Sequence, residues 1–288
     1  MTRHPASLSF DIEDWHHSEL LVANRPAPEA ASVVRRGTEL ILDLLKRHGA
    51  RGTFFVLGDV IREHPDLIRR LLDEGHELGC HGMSHRTLWK SSPDLFRAEL
   101  DEFRAVTERA IGRFPVSGFR APTFSLDRRT AWALPVLRER GYAYDSSVFP
   151  AKVKMYGVPD APVGIYRPAA GDVARHDPAG PLVEFPVAVD PIGPFRLPVG
   201  GGFYLRALPF ALFRGSLDRI LRTRPLSLYL HPREVAPEDV RLDLHPVNGF
   251  ITYVNLHTVP RKLELLLQRY RFIPMREILE AEGHLPRG

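Results

Sequence analysis

The chain has 288 residues, with 39 lysines and arginines against 35 aspartates and glutamates, for a formal charge of +4. That length suits one large domain or two small ones, with a core large enough to need no staple. A lone cysteine, Cys80, rules out an internal disulfide. No apolar run reaches the ~20 residues of a membrane span, and the dispersed arginines form no nucleic-acid motif. The opening MTRHPASLSFDIEDW has no apolar h-region or small-residue cleavage site, so a cytoplasmic location is expected.

In chain order, the first half alternates strand and helix signals. Residues 7–11 read as a short apolar strand. Residues 32–48 carry apolar groups at helical spacing (Val33, Leu40, Ile41, Leu44, Leu45) up to Gly49. GTFFVL at 52–57 is a β-branched and aromatic run typical of a buried strand. Residues 65–74 form a helix opened by Pro65 and closed by Gly75. Residues 77–80 lead into the polar loop GMSHRTL, and 93–111 form a long amphipathic helix. A strand at 116–121, a helix at 128–139 and a strand at 142–146 follow. From 151 to 205 proline and glycine become dense and strands short; this stretch reads as an inserted layer beside the main fold, with Gly200, Gly201 and Gly202 as a flexible tract. The alternation resumes with a helix at 208–222, a strand at 226–231, a helix at 260–269 and a closing strand near Phe272.

Strands separated by helices of these lengths imply βαβ units and a parallel sheet. The class is α/β, a (β/α) barrel of at most eight strands, forming one domain over residues 1–288. Catalytic residues of such barrels sit at the carboxyl ends of strands. Asp11, His81, Arg120, Asp145 and His231 each follow an apolar strand.

His81 and His85, four apart, can share one metal ion if they lie on a helix or on a loop with a helical turn. Capping or surface histidines explain the pair equally well. In FDIEDW, alternation puts Asp11 and Glu13 on one side of the strand, where buried acids need a cation or strong hydrogen bonds. Asp14 has the simpler reading of a helix cap. In FRAPTF, Arg120 could hold a carboxylate by a bidentate bond, although a surface ion pair is the commoner use of such an arginine. DSS at 145–147 and LYLHP at 228–232 say less when taken singly.

Taken in order, SFDIED, HGMSH preceded by GHELGC, RAPTF, YDSS and LYLHP resemble the five motifs of the polysaccharide deacetylase family, the NodB-homology or carbohydrate esterase family 4 group. The likeness spans about residues 8–279. The GGGFYLR tract and LYLHPRE resemble the branch found beside bacterial exopolysaccharide and exosortase loci. The resemblance implies an incomplete, seven-stranded barrel. It implies Asp11 as catalytic base, His81 and His85 as metal ligands, Arg120 as the residue that orients the base, His231 as general acid with Asp145 as its partner, and the backbone N–H near Thr123, beside Pro122, as oxyanion donor. The family's two adjacent aspartates are interrupted here by Ile12, so the acidic ligand is Glu13 or Asp14. The usual aromatic after the proline of the third motif is also missing.

What the resemblance implies is metal-assisted removal of N-acetyl groups from an amino-sugar polysaccharide or its precursor, in association with polysaccharide synthesis machinery. Zinc suits a His, His, carboxylate set with open positions, and cobalt, nickel or manganese would also fit. Two rivals remain: an amidohydrolase of the same fold acting on a small amide or ureide, and an inactive barrel kept as a glycan-binding or assembly module. Trp15, Trp89, Phe203 and Tyr204 would suit a groove for sugar rings or ordinary packing. His16 and His17 are read as solvated, with a place in the site as the alternative. His245 and His257 read as surface residues, and Cys80 as a small packed one.

Overall fold

The computed structural model describes residues 4–14, 17, 33–236 and 244–287. Among these residues the strands are β1 (Ala6–Ile12), β2 (Thr53–Val56), β3 (Glu77–Cys80), β4 (Gly118–Phe119), β5 (Tyr144–Asp145), β6 (Pro168–Ala169), β7 (Asp172–His176), β8 (Val183–Glu184), β9 (Val189–Ile192), β10 (Phe195–Pro198) and β11 (Leu226–Leu230). The helices are α1 (Val34–Arg47), α2 (Gly58–Glu63), α3 (Pro65–Asp73), α4 (Pro93–Ile111), α5 (Ala133–Glu139), α6 (Gly202–Ala207), α7 (Phe210–Ile220), α8 (Pro232–Val235), α9 (Pro246–Tyr253), α10 (Val259–Arg269) and α11 (Met275–Ala281). No helix among the described residues is long and apolar enough to cross a membrane.

Seven strands form one sheet in the order β11-β1-β2-β3-β4-β5-β8, every neighbouring pair parallel. The sheet curls into an incomplete (β/α) barrel, as the motif order implied. All seven residues of β1 are buried, as expected for a central strand of a parallel sheet covered on both faces. The helices end where local chemistry stops them. In α4, Ser92 Oγ accepts from Leu95 N–H at 3.3 Å, Pro93 opens the first turn, and Gly112 closes the helix at φ 76°.

The stretch from 151 to 205 does more than lie beside the barrel. It supplies β8, an edge strand of the main sheet, and its two hairpins (β6 with β7, β9 with β10) stand outside. It also seals the gap between β8 and β11, where Ala188 N–H donates to Ser227 O (3.0 Å) and Tyr229 N–H donates to Gly200 O (2.7 Å). The triple glycine is therefore not a flexible tract. A Cβ on Gly200 would sit 2.2 Å from Val187 Cγ1 and 2.7 Å from Ala188 N, so glycine is what lets these backbones meet. Two other expectations change in detail. The expected helix at 128–139 is split into a 3₁₀ turn, Arg128–Thr130, and α5. The closing strand near Phe272 is a single parallel bridge to Ala6.

A Gly200→Ala substitution should therefore lower stability by about 1–3 kcal/mol, the usual cost of overpacking, as read from the urea midpoint. An unchanged midpoint would show that the seam is slack.

Candidate active site

The carboxyl ends of β1, β3, β4 and β11 surround a cavity of about 170 Å³ whose wall includes Asp11, Glu13, His81, His85, Thr123 and His231. The expected HxxxH pair lies on a loop and not on a helix. His81 follows β3, Gly82 turns the chain at φ 85°, and His85 sits in the left-handed region at φ 61°. Such a conformation costs a non-glycine residue energy and commonly marks a functional turn.

Glu13 Oε2 lies 2.6 Å from His85 Nε2 and 3.3 Å from His81 Nε2. One ligand atom from each of these three buried residues falls within 4.8 Å of the others. His81 Nδ1 is 2.8 Å from Arg120 O; a carbonyl can only accept, so Nδ1 carries the proton and the Nε2 lone pair faces Glu13. Glu13 Oε2 has no hydrogen-bond partner of acceptable geometry among the described residues. Lone pairs converging on a buried carboxylate repel one another unless positive charge, a proton on an imidazole or a metal ion, lies among them. The donor set therefore fits a divalent ion. Burial pushes the Glu13 carboxyl up, but His85, His81 and His231 together outweigh that and hold it well below the usual carboxylate range, as a ligand requires. Of the two acids left open by the sequence, Glu13 is the one that lies against the histidine pair. Asp14 instead accepts from Val33 N–H at 3.4 Å through Oδ1.

Arg120 is fully buried behind Asp11 and does not itself line the cavity. Its Nη1 donates to Asp11 Oδ1 at 2.7 Å and Ser9 Oγ at 2.9 Å; Nε donates to Ser146 O at 3.0 Å and Nη2 to Ser146 Oγ at 2.9 Å. The Phe55 ring stacks beneath the guanidinium at 4.2 Å. The expected bidentate grip does not form: one guanidinium N–H holds Asp11, which still lines the cavity, and the other donors are taken by Ser9 and Ser146. Thr123, at φ 56°, also reaches the cavity wall, whereas Pro122 is packed behind it in the same turn.

His231 caps α8. Its Nε2 is 3.7 Å from Glu13 Oε1, and its Nδ1 and backbone N–H are 3.2 and 3.1 Å from Glu234 Oε2. Arg206 Nε donates to Glu234 Oε1 at 3.0 Å. The partner of His231 is therefore Glu234, and the expectation of Asp145 in that role does not hold. Asp145 is buried away from the cavity and takes Ser147 Oγ at 2.6 Å and Ser147 N–H at 3.0 Å. Burial lowers the His231 imidazole, but Glu234, Glu13 and Asp11 more than compensate and leave it above its ordinary value. Burial likewise raises Glu234, while His231 and Arg206 bring it down to about 2. Gly202 makes room for this carboxylate, since a Cβ there would lie 2.2 Å from both Glu234 oxygens. Glu234, Arg206, Ser9 and Ser146 were not assigned from the sequence; the signal for Glu234 was its place three residues after His231 at a helix start.

Residues 8–144 match the family model described as polysaccharide deacetylase, and residues 146–280 match one described as a domain of unknown function (DUF3473). The N-terminal half of this chain belongs to the polysaccharide deacetylase family. Among its relatives, a peptidoglycan-N-acetylglucosamine deacetylase of Listeria monocytogenes is 36% identical over 101 residues, covering 34% of this chain and 21% of that protein. A chitooligosaccharide deacetylase of Rhizobium leguminosarum is 35% identical over 100 residues, covering 35% of this chain and 43% of that protein. The chain thus matches well under two thirds of the length of these relatives. Over its whole length the fold is similar to that of a Mycobacterium smegmatis protein named as a polysaccharide deacetylase, with TM-score 0.63, 21% identity, and coverage of 99% of this chain and 93% of that one. The deacetylase half carries Asp11, Glu13, His81, His85, Arg120 and Thr123, whereas His231, Glu234, Arg206 and Gly202 all come from the second match.

The other singled-out residues divide. Phe203 lines the cavity, and Tyr204 lines a neighbouring chamber. Trp89 donates to Asp127 Oδ2 at 2.9 Å and is absent from the cavity wall. His17 accepts from Asp14 N–H at 3.0 Å, and its ring lies 5.8 Å from that of His85. His245 and His257 are exposed. Cys80 is buried, takes Gly82 N–H at 3.3 Å, and burial pushes its thiol up to about 12. Trp15 and His16 lie outside the described residues.

In metal-free protein, the imidazole of His231 should titrate above the ordinary histidine value near 6.5 by NMR. Glu234→Gln removes its main charge partner, so the midpoint should move down. A midpoint that stays in place would break the assignment of Glu234 as its partner.

Proposed function

We propose that the chain is a metal-dependent hydrolase that removes N-acetyl groups from an amino-sugar glycan, with residues 1–288 acting as one catalytic unit. The observation that carries this reading is the arrangement around Glu13: two imidazoles converge on its carboxylate, His231 stands 3.7 Å from its other oxygen, and a buried arginine holds Asp11 in the same cavity wall. A base and an acid in one cavity with a metal-ligand cluster is what hydrolysis of an unactivated amide needs.

His81, His85 and Glu13 would hold the ion, most suitably zinc, with cobalt, nickel and manganese as alternatives. When bound, it supplies Lewis-acid polarisation of the acetamide carbonyl and acidifies water. Asp11 accepts the proton of the attacking water, and Arg120 keeps the carboxylate in place to do so. The Thr123 N–H, on the cavity wall, serves as donor to the developing oxyanion. His231, with its proton retained by Glu234, gives that proton to the departing amine. The names of the relatives support an N-acetylated glycan as substrate, and the likeness of the GGGFYLR and LYLHPRE tracts to the exopolysaccharide-associated branch favours such a polymer, or its precursor, handled beside the synthesis machinery.

Acetate release from N-acetylglucosamine oligomers should vanish on EDTA treatment and return with zinc or cobalt. His81→Ala should lose the ion and activity together, and Asp11→Asn should keep the ion while kcat falls about 10²–10⁴-fold. Metal-independent release would sink the scheme, and turnover of a ureide in its place would give the site to a small amide.

His231 acts while protonated, so activity should fall as pH rises through its raised pKa. Glu234→Gln should move that alkaline limb to lower pH. A limb shifted upward, or not at all, would remove His231 from the acid's role.

A further inference from the structure

Beside the metal-ligand cluster lies a second chamber of about 230 Å³. It shares Met155, Tyr156, Phe203, Tyr229 and Ile251 with the wall of the active-site cavity, so the two spaces are continuous. Val153 and Tyr204 complete its apolar wall, and its charged lining residue, Lys154, is exposed. We infer that this chamber receives a hydrocarbon segment of the substrate, so that the natural substrate is an acylated or lipid-bearing amino sugar. This inference rests on the deacetylase reading for its chemistry, but not for the binding itself.

Three observations carry it. First, the wall offers a sugar the ring faces of Tyr156, Phe203, Tyr204 and Tyr229 but few hydrogen-bond partners. The Tyr156 and Tyr229 hydroxyls are 3.2 Å apart and bond to each other, and sugar hydroxyls brought there would lose water without replacement partners. Second, the chamber is pre-formed. Phe124 packs on Tyr229 at 4.8 Å and on Tyr156 at 5.3 Å, and Phe149 packs on Tyr156 at 5.4 Å. A pre-formed, mainly apolar cleft of this size that opens into the active-site cavity offers a hydrocarbon segment surface to bury. Third, apolar surface continues outward. Phe250 packs edge-on against Phe203 at 6.3 Å. Phe250 is 57% and Val247 49% exposed, both on α9, which also supplies Ile251 to the chamber.

The hydrocarbon can belong to either side of the amide: an N-acyl group longer than acetyl, or an aglycone on the sugar. The bond broken is the same C–N bond, with water's hydroxyl passing to the acyl carbon and its proton to the amine.

The test compares kcat/KM of the zinc-loaded full chain along two series. One runs from N-acetyl through N-butyryl to N-hexanoyl glucosamine as methyl glycosides. The other sets the octyl against the methyl glycoside of N-acetylglucosamine. One series should gain about fourfold per buried methylene, and which one gains says where the chain is attached. Val153→Trp, which fills the chamber, and Val153→Asp, which charges it, should erase the gain. Calorimetry with octyl glucoside and metal-free protein supplies a readout independent of turnover; binding should occur with negative heat-capacity change and weaken at least tenfold in either variant. Binding that depends on Val153 without turnover of any substrate would uphold the chamber and overturn the deacetylase reading. Turnover of the acetyl substrate, flat in both series and with no octyl glucoside binding, would overturn the chamber and leave the deacetylase reading intact. Should both variants misfold, the wild-type series decides alone.

Discussion

The whole site hangs on one buried cation. Arg120 has no exposed surface, and its charge is balanced by Asp11 at 2.7 Å. An isolated guanidinium at that depth would be prohibitively costly, so strand β1 must deliver a carboxylate there, and the middle of β1 and the residue after β5 must deliver Ser9 and Ser146 to the remaining N–H groups. Once those demands are met, the carbonyl of Arg120 is also fixed, and it is this carbonyl that sets the proton on His81 Nδ1. A single residue thus determines both the direction of the Asp11 carboxylate and the tautomer of a metal-ligand candidate. Neither function tolerates lysine, which has no fork to span Asp11, Ser9 and Ser146 together.

The two matched segments divide the chemistry unevenly. The first supplies the Glu13, His81 and His85 cluster together with Asp11. The second supplies His231 at the end of β11 and its nearest partners, Glu234 one turn later and Arg206 on α6 behind Glu234, while Glu13 and Asp11 of the first segment also act on His231. Neither half has a complete sheet, since β8 and β11 close the two edges of a sheet whose middle is β1 to β5. The contact between Gly202 and Glu234 shows how closely the elements are fitted, because even one methyl group there would displace the carboxylate that holds His231.

Much of this is legible in the sequence. The alternation of apolar runs with amphipathic stretches identifies the parallel sheet, since each signal is local. His81, His85, Asp11, Arg120 and His231 stand out because polar residues at strand ends break an otherwise apolar pattern. What stays hidden is non-local. Ser9 and Ser146 look like ordinary strand and loop residues until Arg120 is placed between them. Gly200 and Gly202 read as flexible because glycine has two uses, freedom and close approach, and only the neighbour across the gap tells which applies. Glu13 separates from Asp14 only once the histidine loop is seen to lie over one of them.

Asp145 is buried for a reason other than pairing with His231. It stands beside Glu184 across the β5–β8 pair, and burial raises both acids, Glu184 well above the usual range. Two carboxyls so close in a buried place cannot both ionise, and one shared proton resolves the conflict. Ser147 N–H and Oγ favour the charged form on Asp145, which leaves the proton with Glu184. Ser147 Oγ in turn takes the N–H of Ala121 at 2.7 Å, the residue that opens the turn carrying Pro122 and Thr123. An acid at this strand end therefore reaches the cavity through a serine and a backbone amide. Its effect is on the placement of the Thr123 turn, while the proton chemistry of His231 is left to Glu234.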